Sequence, residues 1–331
     1  MDVLAAGTLF GVRDKVVLVT GGARGIGLMV RHHSARARRS RLCGVSMPGA
    51  RADARAADRA AQIASGFVAN GARVYISSRS ADACNAVAAK LTAAGPGSCH
   101  ALPEDLSTLA ACERLAARLA EREPALHGVL PRRRSHHARI SAGVRLTQSG
   151  VPPTAAVLVN NSGIAWGEPL EKHSEKGFDR VYALNVKAIF FLTRALLPLL
   201  DKGSTPRDPS RVINIGSIAG LRPQAYPTFS YDLSKAAVHH LTRKLADEFA
   251  TRPGGTSITV NAIAPGYVPS KMSAQLDAYT GDAAKVAASV PLRRLGEATD
   301  MVGASLFLAS NAGAWITGIV LPVDGGFLAK L

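Results

Sequence analysis

With 331 residues, 47% of them apolar and 19% charged, the chain can bury a sizeable core, as one large α/β domain or two smaller ones. The formal net charge of +16 suggests nucleic acid, but its distribution, read below, argues against that. Four cysteines (Cys43, Cys84, Cys99, Cys112) make neither a CxxC pair nor a metal spacing with histidine, so reduced thiols in a cytoplasmic, metal-free protein are expected.

Residues 1–14 lack the basic start and apolar centre of a signal peptide. Residues 15–20 are a short β-branched run, as expected for a buried parallel strand. The run opens into Gly21-Gly22-Ala23-Arg24-Gly25-Ile26-Gly27, where glycines permit a tight turn and let backbone N–H groups approach a pyrophosphate. An ordinary flexible turn is the competing reading, and the strand in front of the loop weighs against it. A helix is expected over residues 52–69 and a second strand over 72–78, ending in Ser78 and Arg79. NAD-binding folds usually place an acid at that strand end for the ribose 2′-hydroxyl. A guanidinium there suits a 2′-phosphate instead, so Arg79, with Arg24 as a second cation, reads as selection for NADP(H).

Asp105-Leu106 follows the third strand, and Asp105 is placed either to meet an adenine amino group or to cap a helix running from about Leu106 to Glu123. Residues 157–159 are the fourth strand, closed by Asn160-Asn161-Ser162-Gly163. A long helix over 178–200 carries Asn185; its apolar part, 188–200, is interrupted by Thr193, Arg194 and Pro198 and is too short to span a bilayer, so no membrane association is expected. Residues 211–215 form the fifth strand and deliver Ser217. The helix over 231–250 carries Tyr231 and Lys235, which four-residue spacing places on one face. A phenol titrates near 10 and is a poor acid alone, but a neighbouring ammonium favours phenolate and brings it toward the working range. A sixth strand over 256–262 leads to Pro265-Gly266, Val268 and Ser270, and a seventh is expected over 315–323. Strands alternating with helices predict a single doubly wound, Rossmann-type α/β domain with a mostly parallel seven-stranded sheet.

These motifs, in this order, resemble the short-chain dehydrogenase/reductase family. The resemblance implies that Tyr231 is the acid/base, that Lys235 tunes it and holds the nicotinamide ribose, and that Ser217 orients the carbonyl. Asn185 would hold a water behind the lysine and complete a proton relay. Gly21, Arg24, Gly25, Ile26, Gly27, Ser78, Arg79, Asp105, Leu106, Asn161, Gly163, Pro265, Gly266, Val268 and Ser270 would contact the cofactor beside Tyr231 and Lys235. Family likeness also implies a homotetramer or homodimer. Features at Ser77-Ser78-Arg79, the loop after Pro265 and Pro322-x-Asp324-Gly325-Gly326 are similar to rhamnolipid-type 3-oxoacyl reductases. The substrate class implied is a small carbonyl compound or its alcohol. A catalytically impaired NADP(H)-binding variant and a basic interaction protein built on the same scaffold are the competing readings.

Two stretches depart from the family. Gly27 and Arg79 are 52 residues apart; without the 33 residues of 30–62 the separation is 19, close to the about 20 expected. Residues 128–156 similarly precede the fourth strand. The first stretch holds eight Arg, two Asp and no Lys, the second five Arg with no Lys and no acid, so together they carry +11 of the +16. Arginine without lysine is what translated GC-rich non-coding DNA gives. Val30 takes a GTN codon and Gln62 admits CAG, the two ends of an intron, so in-frame retained introns are the preferred reading. Basic arms for nucleic acid are the competing one, but neither stretch has interleaved aromatics or a known module. No nucleic-acid partner is expected.

Overall fold

The computed structural model describes residues 4–21, 59–123, 155–270 and 283–330. In chain order the elements are α1 (Ala6–Leu9), β1 (Val16–Thr20), α2 (Arg59–Ala69), β2 (Arg73–Ser77), α3 (Ala81–Ala94), β3 (Ser98–Ala101), α4 (Leu109–Arg122) and β4 (Val157–Asn160). There follow α5 (Glu175–Tyr182), α6 (Ala188–Lys202), β5 (Ser210–Ile215), α7 (Phe229–Phe249), β6 (Ile258–Pro265), α8 (Ala283–Ser289), α9 (Ala298–Ala309) and β7 (Val320–Val323). The strands form one parallel sheet in the order β3-β2-β1-β4-β5-β6-β7, the doubly wound arrangement expected from the strand–helix alternation.

Alternation along each strand feeds two apolar layers. Leu18, Leu158 and Val212 face one side, against Leu115 and Leu119 of α4, Leu192 and Leu196 of α6, and Leu245 and Phe249 of α7. Val17, Val19, Val159 and Ile213 face the other, against Ile63 and Phe67 of α2 and Met301 and Leu308 of α9. Covering both faces is what lets strands such as β1 and β4 read as near-continuous apolar runs. Cys84, Cys99 and Cys112 are buried free thiols.

The structure corrects three details of the sequence reading and observes part of a fourth. The seventh strand is only Val320–Val323: Trp315 is 96% exposed, and Gly318, in the left-handed region at φ +79°, turns the chain before the strand starts. The helix after Asp105 begins at Leu109, because the Thr108 side chain accepts from the Ala111 N–H and so caps it. Of the helix expected over 52–69, Arg59–Ala69 is observed, and residues 52–58 lie outside the described residues. The long helix runs from Glu175 to Lys202 but contains a π turn, Ala183–Lys187, where the ladder gains a residue. By length and composition alone these 28 residues would suffice to cross a membrane, but Leu192, Leu196 and Leu199 are packed on the sheet.

Candidate active site

The site lies beyond the carboxyl ends of β1, β4, β5 and β6, where the chain order changes from β1-β2-β3 on one side to β4-β5-β6 on the other. Such a switch point opens a crevice, because successive connections leave in opposite directions. The turn after β4 is clipped to the end of β1: the amides of Asn161 and Ser162 both donate to Thr20 Oγ1 at 3.0 Å, and Asn161 Nδ2 donates to the Thr20 carbonyl at 3.1 Å. Gly21, at φ +77°, follows directly, and a Cβ there would lie 3.0 Å from Asn161 Nδ2. Only glycine fits both the conformation and the space.

Inside the sheet, Asn160 Nδ2 donates to Asn214 Oδ1 at 2.9 Å and Asn214 Nδ2 to Thr242 Oγ1 at 3.0 Å, tying β4, β5 and α7 together through fully buried amides. β5 then ends under α7. Lys235 Nζ donates to the Ile215 carbonyl at 2.7 Å and stands 5.6 Å from the Tyr231 ring centroid. Ser217, two residues on, has its hydroxyl turned to accept from the Ala219 amide at 3.2 Å. Tyr231 and Ser217 line one cleft with Ala165, Ile218, Thr228, Asp232, Gly266, Val268 and Ser270, enclosing about 610 Å3 of space, part of it open to solvent.

Asn185 is the fourth residue of the expected tetrad. It is fully buried in the π turn, and both hydrogens of its amide are committed, to the Ile164 carbonyl and to Ser234 Oγ, each at 2.9 Å. Its Oδ1 accepts from the Ile164 amide at 2.9 Å. The side chain therefore clamps the loop after β4 to α7. Gly163 makes room for this clamp, since a Cβ there would sit 3.2 Å from Asn185 Oδ1.

The remaining expected cofactor residues are distributed unevenly. Arg79 is exposed at the end of β2, beside Ser78, whose hydroxyl is buried against Cys84 Sγ at 3.2 Å. Asp105 is exposed and accepts from the Ser107 amide at 3.2 Å, while the Leu106 side chain is buried in the core and leaves only its backbone to a ligand. Pro265 ends β6, and the Gly266 backbone passes so close to Asp324 that a Cβ would be 2.8 Å from its Cα. Val268 and Ser270 are buried on the cleft wall. Arg24, Gly25, Ile26 and Gly27 lie outside the described residues, as do residues 30–58 and 128–154 of the two arginine-rich stretches. Among the described residues no cluster of side chains is suited to hold a metal.

Sequence reasoning missed several neighbours. Tyr226 and Tyr267 meet across the cleft with hydroxyls 3.3 Å apart, and Tyr267 donates to Gln224 Oε1 at 3.3 Å. Burial and the Tyr226 hydroxyl push the Tyr267 phenol up. Asp232, also raised by burial, is held by the Thr228 hydroxyl at 2.9 Å and the Gln224 amide at 3.4 Å. His239 is buried below Ser217 and is held neutral, down to about 4, chiefly by desolvation. None of these residues stands at a diagnostic spacing, so only the fold reveals them.

Comparison with known proteins decides the family. The family described as "Enoyl-(Acyl carrier protein) reductase" matches residues 137–328. A rhamnolipids biosynthesis 3-oxoacyl-[acyl-carrier-protein] reductase of Pseudomonas aeruginosa is 35% identical over 318 residues, covering 96% of this chain and 98% of that protein. The chain belongs to the short-chain dehydrogenase/reductase family. A second relative within this dehydrogenase/reductase group, galactitol 2-dehydrogenase of Rhizobium johnstonii, is 35% identical over 57% of this chain and 71% of its own length. Among solved structures, a Pseudomonas aeruginosa RhlG/NADP active-site complex superimposes with TM-score 0.72 at 33% identity, covering 96% of this chain and 98% of the other. A putative NAD(P)-dependent gluconate 5-dehydrogenase from Beutenbergia cavernae, with bound NADP at low occupancy, gives 0.70 at 28% identity, covering 97% and 100%. As a short-chain dehydrogenase/reductase, the chain is an oxidoreductase.

Proposed function

We propose that this oxidoreductase uses NADPH to reduce a ketone reversibly to a secondary alcohol, with a 3-oxoacyl thioester as the preferred substrate class. The observation that carries the reading is the convergence of Tyr231 and Ser217 on one cleft, with the Lys235 ammonium 5.6 Å from the Tyr231 ring. The residues present fit a dinucleotide: the crevice lies at the β1/β4 switch point, and Gly21 and Gly163 let the turns at the ends of β1 and β4 pack closely together at its floor. Gly21, Asn161, Gly163 and the loop from Pro265 to Ser270 would hold it, with Arg79 and Ser78 at the 2′-phosphate. When bound, the cofactor supplies the hydride that reduces the carbonyl carbon.

The chain's own residues supply the proton and the geometry. Tyr231 gives its phenolic proton to the carbonyl oxygen as that oxygen gains charge, and the nearby ammonium of Lys235 stabilises the negative charge left on the phenol. The Ser217 hydroxyl is positioned to hydrogen-bond the same oxygen, and Asn185 fixes the wall made by Ile164 and Ala165. The four-residue spacing of Tyr231 and Lys235 favours carbonyl over enoyl reduction, because enoyl-reducing relatives space the pair more widely. The 3-oxoacyl preference is supported by the relative matched over 96% of the chain.

The arginine-rich stretches fit retained introns better than nucleic-acid arms, and in the sequence the first follows the glycine loop almost at once. The test follows NADPH absorbance with a 3-oxoacyl thioester, using the 331-residue chain, a version without residues 30–62 and 128–156, and Tyr231→Phe in each. Turnover by the trimmed chain alone, abolished by Tyr231→Phe, supports both readings. Equal activity of the two chains means that the insertions are tolerated, and transcripts that uniformly contain both stretches overturn the intron reading. Unimpaired turnover by Tyr231→Phe overturns the catalytic one.

A further inference from the structure

α7 presents more than the Tyr231/Lys235 pair to the site. The next residue on that face, another four on, is His239, 2% exposed. The end of β5 is strung between the two inner positions. Lys235 Nζ donates to the carbonyl of Ile215 at 2.7 Å, and His239 Nε2 accepts from the amide of Ser217 at 3.4 Å. Gly216, between them, donates its own amide to the Ile263 carbonyl at 2.7 Å. A Cβ on Gly216 would overlap the His239 ring, so the Nε2 edge of the ring lies close against the backbone just before Ser217. The following loop is equally tight, since a Cβ on Gly220 would come 2.6 Å from the Ala236 nitrogen.

We infer that His239 is a positioning residue for the Ser217 hydroxyl: as a neutral Nδ1–H tautomer, it holds the Ser217 peptide through Nε2 and so sets where that hydroxyl meets the substrate oxygen. An amide donor needs an acceptor lone pair, and an imidazolium has none. The groups facing the ring oppose protonation: the Lys235 ammonium on the same helix face and the Arg243 guanidinium one turn on both lower the imidazole's basicity, in addition to burial. The Gly220 backbone, packed from the Ser217 loop, acts in the other direction, and burial outweighs it. The extended backbone of Ser217, at φ −168°, lets its Oγ accept from the Ala219 amide, so displacing the peptide would move the hydroxyl with it.

The inference rests on the carbonyl-reducing role of Ser217, and its first test does not require turnover. A two-dimensional long-range proton–nitrogen spectrum of the imidazoles, assigned with His239→Gln, should show Nδ1–H with a bare Nε2 from pH 8 to about pH 5, since burial depresses protonation. A protonated Nε2 would overturn the assignment. In the second test, His239→Leu removes the acceptor, while His239→Gln retains an amide oxygen at a similar reach. Loss of one positioning hydrogen bond should lower kcat about tenfold in the Leu variant, with the KM for NADPH unchanged, and Gln should recover most of it. In a Ser217→Ala background the same Leu substitution should cost less than about twofold, as expected for two residues acting in series. A Leu cost that persists undiminished without the Ser217 hydroxyl, or a rise in NADPH KM with kcat intact, would overturn the inference. If the Leu variant fails to fold, the Gln variant and the tautomer decide.

Discussion

Replacing Asn185 with Ala separates a clamp from a relay. The substitution deletes three hydrogen bonds at once: two to the Ile164 backbone and one to Ser234 Oγ, all at 2.9 Å. Ser234 retains its own donation to the Tyr231 carbonyl, but the Ile164 amide and carbonyl lose their partner while Ile164 is 5% exposed. Each stranded backbone group costs about 1–3 kcal/mol, so the loss should total about 3 kcal/mol. With an m-value near 3 kcal/mol per M, the urea midpoint should fall by roughly 1 M. NADPH turnover should fall in the same variant, because Ala165, beside Ile164, lines the cleft. Asn185→Asp should do no better: one carboxylate oxygen can still accept from the Ile164 amide, but both donors are lost and a charge is buried. Unfolding within about 0.5 kcal/mol of the parent, combined with collapsed turnover, would refute the clamp and return Asn185 to a chemical role.

Three other expectations follow from the same structure. Arg79→Ala should leave NADH turnover unchanged and raise the KM for NADPH about tenfold, read from paired saturation curves. Asp208 is the counter-ion of Lys15, whose Nζ lies 3.0 Å from both its oxygens, and of fully buried Arg211 at 3.1 Å. Because Asp208 itself is 41% exposed, Asp208→Asn should cost about 2 kcal/mol by chemical denaturation, less than a fully buried pair would. His239 titrates near 6.5 unfolded and about 4 folded, so the unfolded chain binds the extra proton between those values. Stability from this group is therefore complete above pH 6.5 and lost as pH falls toward 4, by roughly 3 kcal/mol. His239→Gln should remove that part of the acid sensitivity, measured as urea midpoint against pH.

Much of the architecture was legible because parallel strands covered on both faces leave a clear trace: residues 16–19 and 157–159 are apolar runs without alternation, and 211–215 holds three β-branched apolar residues in five. The Tyr231/Lys235 spacing and Ser217 were legible as well, since helix periodicity and strand ends dictate where such side chains point. Tertiary override hid the rest. Trp315 has every property of a strand residue, but the left-handed turn at Gly318 places it in solvent. The π turn at Ala183–Lys187 has no local signature, so the Asn185 bonds to Ile164 and Ser234 leave no trace in the sequence. His239 is one of two adjacent histidines in a helix; only the approach of Gly216 distinguishes it from exposed His240.

The Asn160–Asn214 pair bears on how the chain finds its sheet. The two residues are directly opposed in the β4–β5 register, and both are essentially sealed from water. A slip of one residue would turn each amide toward the opposite apolar layer, and a slip of two would leave them facing Leu158 or Val212 without a partner. Either error strands polar groups in hydrocarbon, whereas the correct pairing satisfies them and passes the chain of bonds on to Thr242. Apolar strands of near-uniform composition slide past one another at little cost. Two amides in the central pair act as an index mark: they discriminate against misaligned sheets during assembly, even where well-packed leucines would hold the finished sheet equally firmly.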